Sequence, residues 1–298
     1  MESRSNSWQK HKHWNKEPLL KWYGDDVIFS PHTSVANSKQ VIKWVSNEIK
    51  TRYADYCTQY YDLQADDIEF EFESSSKINV YTRNIDFQAK YVVNWAGQQS
   101  LNIANRLGIA NQYSILPVKG NYLISDRPMN EVKTLVYPVP MKGTYFLGVH
   151  STITPDGYVK IGPSATPAFA LENYNKLDKV TMQSLRKIVS DYCQIAFSDQ
   201  VGLLFALAYQ ELPKLSKRRM MNSLKIHDLD PSAFKNWYRP GIRAQLIHKS
   251  TNKFVEDFLL VNDEKMMHVL NVISPGWTWA SPFADHIVDE ISSKFTLD

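Results

Sequence analysis

Two histidines and an arginine are the side chains best suited to chemistry. His150 closes the run Phe146-Leu-Gly-Val-His150, and His268 stands a few residues before Ser274-Pro275-Gly276. A neutral imidazole is the natural proton acceptor near neutral pH, so both are general-base candidates, His150 ahead of His268. Arg243 ends Tyr238-Arg-Pro-Gly241-Ile-Arg243. Its guanidinium offers two parallel donors that match a carboxylate, and Arg239 is a weaker alternative. Each has a plainer reading, a histidine satisfied inside a core or an arginine in a structural ion pair. The stretch Tyr91-Val-Val-Asn-Trp-Ala96-Gly97 suggests a backbone site. There an apolar strand runs into a helix through a residue without a Cβ, so backbone N–H groups can approach a phosphate. The plainer alternative is an ordinary helix start.

These residues depend on elements that the sequence pattern predicts. Asp26 to Phe29 reads as a short strand. Asn37-Ser38 caps a helix whose Val41, Ile42, Val45 and Ile49 recur at helical spacing, with Trp44 beside them. Ile68 to Phe72 alternates apolar and acidic residues, as a half-exposed strand does. Ile78 to Tyr81 is another strand. Lys90 to Asn94 is a buried strand, followed by a helix through Leu107 that stops at Gly108. Short strands at 115–118, 121–124, 134–139, 145–150 and 158–162, separated by Pro and Gly, predict an antiparallel sheet. Residues 168–225 are mostly helical in pattern. A hairpin turns at Ser250-Thr-Asn252, a last strand covers 267–272, and 283–295 closes the chain as a helix. Strand–glycine–helix units beside a long antiparallel sheet make the fold class α/β plus α+β.

Composition narrows the setting. The chain has 298 residues, 43% of them hydrophobic, enough for one large or two medium domains. The 34 basic and 31 acidic residues leave a net charge of +3, too balanced to argue for nucleic acid. Sixteen Tyr and eight Trp supply planar surfaces for a flat ligand. Cys57 and Cys193 stand alone, without the spacing of a zinc site, so no metal is expected and a reducing, cytoplasmic compartment is the default. The longest apolar run, Val201 to Tyr209, is too short to span a membrane, so no transmembrane segment is expected.

Taken in order, Tyr91–Gly97, Val136-Tyr-Pro-Val-Pro140, Phe146–His150, Gly162-Pro-Ser-Ala165, Tyr238–Gln245 and His268–Gly276 resemble one family. It is the flavin-dependent 2-hydroxyacid dehydrogenases of the L-2-hydroxyglutarate dehydrogenase type, within the D-amino-acid-oxidase-like flavoproteins. The resemblance implies FAD as cofactor and a small carboxylate as substrate, oxidised by hydride transfer to flavin while His150 or His268 takes the hydroxyl proton. It implies that Arg243 clamps the substrate carboxylate and that Tyr238 and Lys119 also bind the substrate. Lys119, in Lys119-Gly-Asn-Tyr122, stands where the family has Arg beside the flavin ring. Ala96, Gly97, Gly241, Ser274, Pro275 and Gly276 would contact the cofactor. Trp277 and Trp279 follow the Ser-Pro-Gly loop where the family has small residues, which argues against 2-hydroxyglutarate in particular. The implied domains are a poorly ordered segment 1–25, an incomplete FAD-binding domain at 26–112 and 236–298 that is the remnant of a Rossmann-like fold, and a substrate domain at 113–235 with an antiparallel sheet.

One signature of that family is missing. Its members open on strand, Gly-x-Gly-x-x-Gly and helix, which seats the dinucleotide pyrophosphate. No two of the 11 glycines here are two positions apart, so the fingerprint occurs nowhere. The expectation is a chain lacking the family's N-terminal third, with an unpaired edge on the strand at 91–94. Three readings stay open: a working 2-hydroxyacid dehydrogenase; a truncated or split member without FAD binding of its own, completed by a separate chain; and an amine or amino-acid oxidase of the same superfamily.

Overall fold

A computed structural model describes residues 6–8, 16–21, 27–72, 77–139, 148–175, 177–198, 201–272 and 276–294. In chain order its elements begin with β1 (Asn6–Trp8), β2 (Val27–Phe29), α1 (Ser38–Arg52), β3 (Glu69–Phe72), β4 (Ile78–Tyr81), β5 (Phe87–Ala89) and β6 (Val92–Asn94). Then come α2 (Ser100–Arg106), β7 (Tyr113–Ile124), β8 (His150–Ile153), β9 (Val159–Gly162) and β10 (Thr166–Pro167). Helices α3 (Met182–Ala196), α4 (Val201–Glu211) and α5 (Lys217–Ser223) follow. Strands β11 (Asn236–His248), β12 (Lys253–Phe254), β13 (Leu260–Asn262) and β14 (Met266–Val269) precede α6 (Gly276–Lys294). The chain forms two units, one of Met1–Tyr61, Val118–Arg186 and Ile195–Ile242, the other of Asp62–Pro117, Lys187–Gln194 and Arg243–Asp298.

The first unit is built on the antiparallel strands β7, β9 and β8, within a sheet ordered β12-β11-β7-β9-β8, with β10 also on β7. The register pairs Leu123 with Ile161, Ser151 with Ile161 and Ile153 with Val159. Strand side chains alternate between faces, so Leu123, Val159 and Ile161 share one face. That face packs against Met220, Met221 and Phe234 in a core from which all six side chains exclude water. Chain near the N-terminus joins this unit. Leu20 bridges to His227, and the buried Glu17 accepts from the backbone N–H groups of Lys133 at 2.8 Å and Thr134 at 2.7 Å.

The second unit holds two three-stranded sheets, β13-β14-β6 and β3-β4-β5. β14 runs antiparallel to β13 and parallel to β6, pairing His268 with Asn94. A parallel pair needs a long crossover, here the chain between residues 94 and 266. Met267, Val269, Phe283 and Ile287 form one core cluster, and Ile78, Val80 and Met266 another. Among the described residues β6 has no neighbour on its second edge, and Val93 is 37% exposed.

Several expectations need correction. The two strands predicted at 115–118 and 121–124 are one strand, β7, because nothing at Lys119-Gly120 breaks extended backbone. At 134–139 only an isolated bridge between Val136 and Ser151 forms. Residues 140–147 lie outside those described, and His150 opens a strand rather than ending one. The described residues of 168–181 are turns and irregular chain, and helix begins at Met182. The closing helix starts at Gly276, earlier than expected, with Pro282 inside it. Of the segment 1–25, expected to be poorly ordered, only 6–8 and 16–21 are among the described residues; they hold β1, which pairs with β2, and the anchored Glu17. Residues 26–61 fall in the unit of the long antiparallel sheet, not with 62–112. Helix α1 is capped as predicted, Asn37 Oδ1 accepting from Gln40 N–H, yet it buries no residue. No described helix is long and apolar enough to cross a membrane.

Candidate active site

The second face of the β8–β9–β7 sheet carries the candidate site. Cross-strand pairs set His150 opposite Gly162 and Thr152 opposite Lys160. Residue 124 pairs with Lys160 and 123 with Ile161, so Tyr122 falls opposite Gly162. His150, Lys160 and Tyr122 therefore share the face that looks away from the Leu123–Ile161 core. The bridge at Val136 sets Tyr137 beside His150, and their rings stack at 4.3 Å between centroids, tilted by 30°.

His150 is buried, and its Nδ1 lies 2.9 Å from the Gly148 carbonyl oxygen. A carbonyl can only accept, so Nδ1 carries the proton and Nε2 keeps its lone pair. Burial pushes the imidazole pKa down, and the positive charge of Lys160 lowers it further against the opposing bond to Gly148. The ring is thus a neutral base at neutral pH. Partial desolvation raises the pKa of the half-buried Tyr122 and of the more exposed Tyr137, so their hydroxyls stay protonated.

Gly162 holds the face open. A Cβ there would stand 2.7 Å from both the Asn121 carbonyl oxygen and the Tyr122 ring. Its φ of +155° is also a backbone setting that glycine takes more readily than other residues. Lys160 Nζ lies 5.2 Å from the Tyr238 ring centroid and 5.8 Å from that of Tyr122. Tyr238 thus sits on this face through Lys160. Arg239 stacks over Tyr174 at 4.8 Å. Lys119 donates to Asn173 Oδ1 at 3.1 Å, and burial lowers its pKa against the pull of Asp178. Gly241 lies on β11 with no atom within 4 Å of its Cβ position.

His268 and Arg243 belong to the second unit. His268 is fully buried on β14. Asn94 Nδ2 donates to the Ser100 carbonyl at 2.8 Å, which fixes the amide's orientation, and lies 2.9 Å from His268 Nδ1. His268 Nδ1 must then accept, so its Nε2 carries the proton and no lone pair is left over. Burial lowers its pKa, Asp263 opposing. Of the two histidines, only His150 presents an available lone pair. Arg243 is half-buried on β11, and burial lowers its pKa. Ala96 and Gly97 form the turn after β6. Gly97 has φ +58° and open space where a Cβ would stand, so its backbone can be approached. Gly276 begins α6, whereas Ser274 and Pro275 lie outside the described residues.

Sequence reasoning missed Lys160. Its signal was the alternation of Tyr158-Val-Lys-Ile-Gly162, which puts one charged residue on the face opposite Val159 and Ile161. Tyr122 and Tyr137 lay inside quoted motifs but had been given no role.

Comparisons with known proteins bear on this arrangement. No protein-family model matches the chain. Among solved structures, glycine oxidase from Bacillus cereus ATCC 14579 matches with a TM-score of 0.60 and 15% identity, over 98% of this chain and 66% of that one. L-alpha-glycerophosphate oxidase from Mycoplasma pneumoniae, solved with FAD bound, matches at 0.57 and 15% identity over 95% of this chain and 63% of that one. The fold is therefore the one these two oxidases share. By sequence the chain is similar to L-2-hydroxyglutarate dehydrogenases. It is 25% identical to that enzyme of Escherichia coli K12 over 93% of this chain and 64% of the relative. It is 27% identical to the human mitochondrial enzyme over 95% of this chain and 62% of the relative. The chain thus spans somewhat less than two thirds of the length of the curated relatives it matches.

Proposed function

We propose that this chain carries the catalytic face of an FAD-dependent dehydrogenase that oxidises a 2-hydroxyacid such as L-2-hydroxyglutarate. The observation that carries the reading is the tautomer of His150: a buried neutral ring with its Nε2 lone pair free, on a face shared with a lysine and three tyrosines. His150 Nε2 takes the hydroxyl proton of the substrate as the α-carbon loses hydride. FAD, when bound, would supply the hydride acceptor. Arg243, Tyr238 and Lys119 bind the substrate, and Gly241 stands toward the cofactor in this reading. The turn Ala96-Gly97 would hold the dinucleotide tail, and its open Gly97 backbone fits such a group. His268 keeps β14 and β6 in register through Asn94. A reducing, cytoplasmic setting goes with this reading, supported by two free and exposed cysteines.

One observation favours a second reading, in which a separate chain completes the flavin site. The Gly-x-Gly spacing of a pyrophosphate turn occurs nowhere in the 298 residues. The visible spectrum of the purified protein with added FAD, followed by turnover of L-2-hydroxyglutarate with an artificial electron acceptor, separates the two. Bound-flavin absorbance with turnover supports the dehydrogenase acting alone. Uptake of FAD and turnover only after addition of a dinucleotide-binding fragment supports the two-chain form. Neither result under either condition would remove the proposal.

A further inference from the structure

We infer that Lys160 is the anion receptor of the His150 face: its ammonium, set between the Tyr122 and Tyr238 rings, takes up a carboxylate of the substrate. The inference deepens the proposed function and rests on it.

The placement follows from register. Lys160 pairs with Thr152, two residues along from the His150–Gly162 pair and on the same face. Diagonal neighbours of this kind lie roughly 7–8 Å apart, within the span of a small hydroxyacid bridging the two side chains. The surroundings of Lys160 are aromatic. Its Nζ looks onto two tyrosine rings, and among the described residues it forms no ion pair. Five other lysines of this unit are placed differently. Lys21, Lys179, Lys214 and Lys235 pair with carboxylates, and Lys119 donates to Asn173. Lys160 is also half-buried, and burial lowers its pKa with no acid to compensate. An ammonium stripped of part of its water and given only ring faces gains most when an anion arrives, because charge-assisted bonds strengthen as water leaves. Its charge also helps keep His150 neutral, so one residue prepares the base and draws in the anion.

Every 2-hydroxyacid brings a carboxylate on the α-carbon, and 2-hydroxyglutarate brings a second at the far end. The test distinguishes these sources. Binding of L-2-hydroxyglutarate and of L-2-hydroxybutyrate is measured by titration calorimetry on the purified wild type, Lys160→Met and Lys160→Arg. Far-UV circular dichroism verifies that each variant is folded, and Lys160→Gln replaces Lys160→Met if the latter is not. Loss of charge should weaken binding about tenfold or more, while the arginine variant stays within about threefold of wild type. Weakening of both ligands assigns the α-carboxylate to Lys160, and weakening of 2-hydroxyglutarate alone assigns the distal one. Wild-type affinity of the methionine variant for both acids overturns the inference and leaves the hydroxyacid reading standing. Equal losses in the methionine and arginine variants overturn it as well. A wild type that binds neither acid, alone or with FAD and the dinucleotide-binding fragment added, removes the proposed function and this inference together.

Discussion

His150 owes its chemistry to the groups around it rather than to its type. The Gly148 carbonyl selects the tautomer, the Tyr137 ring covers one face, and burial with Lys160 holds the pKa below the ordinary histidine range. A base must be unprotonated to act, so a lowered pKa extends its working range toward acid. The acid limb of kcat/KM for 2-hydroxyacid oxidation should accordingly lie below the usual histidine value, and a limb above it would contradict the assignment. His150→Phe should reduce turnover about 10²–10⁴-fold, the usual worth of general-base catalysis; unchanged turnover would remove His150 from the mechanism. Gly162 invites a steric test. In Gly162→Ala the new methyl meets the Tyr122 ring and the Asn121 carbonyl, so stability should fall by about 1–3 kcal/mol by the rule for overpacking. Chemical denaturation measures the loss. Glu17 offers a titration test. Burial would raise its pKa, but bonds from His227, Thr134 and Lys133 outweigh that and hold it low. A folded pKa below the unfolded one stabilises the protein at neutral pH, and that contribution disappears as pH falls through the folded value. Glu17→Gln should therefore lower stability by about 1–3 kcal/mol at pH 7, with the gap to wild type closing in acid.

Elements differ in how firmly their neighbours specify them. β6 and β14 are short parallel strands in the second unit, tied across their pairing by the Asn94–His268 contact. In Asn94→Ala the Ser100 carbonyl and His268 Nδ1 lose their donor inside the protein. Unfolding free energy should drop by about 1–3 kcal/mol, and a neutral result would mean that the polar contact carries no weight. Helix α1 is the opposite case. Its apolar residues recur at helical spacing and its N-cap is good, yet Ile42 is 58% and Trp44 62% exposed. Trp44→Ala should leave unfolding within about 0.5 kcal/mol of wild type, as for surface substitutions generally.

At the scale of the whole chain, each unit is held by its own buried clusters. Leu123 is fully buried in the first. Truncating it to alanine should cost about 2–5 kcal/mol, the range for large-to-small core changes, readable as a shift in the denaturation midpoint. The relatives are longer than this chain, and the fold neighbours are flavin oxidoreductases of greater length.

Much of this protein was legible in its sequence. The ordered motifs from Tyr91 to Gly276 pointed to the flavoprotein class, because the residues that shape such a fold keep their order along the chain. Local signals worked where local physics decides: the Asn37 cap, the stop at Gly108, the strands at 69–72, 78–81 and 159–162. Tertiary structure decided the rest. Whether α1 buries its stripe depends on what stands against it, which helical spacing cannot report. That Glu17 is anchored depends on backbone donors more than a hundred residues away. The two histidines looked alike as isolated residues. Only the fold gives His150 a carbonyl at Nδ1 and a shared face with Lys160, and gives His268 an amide that uses its lone pair. Hydrogen-bond partners and sheet register join residues distant in sequence, and they, not residue type, settle which nitrogen is free to take a proton.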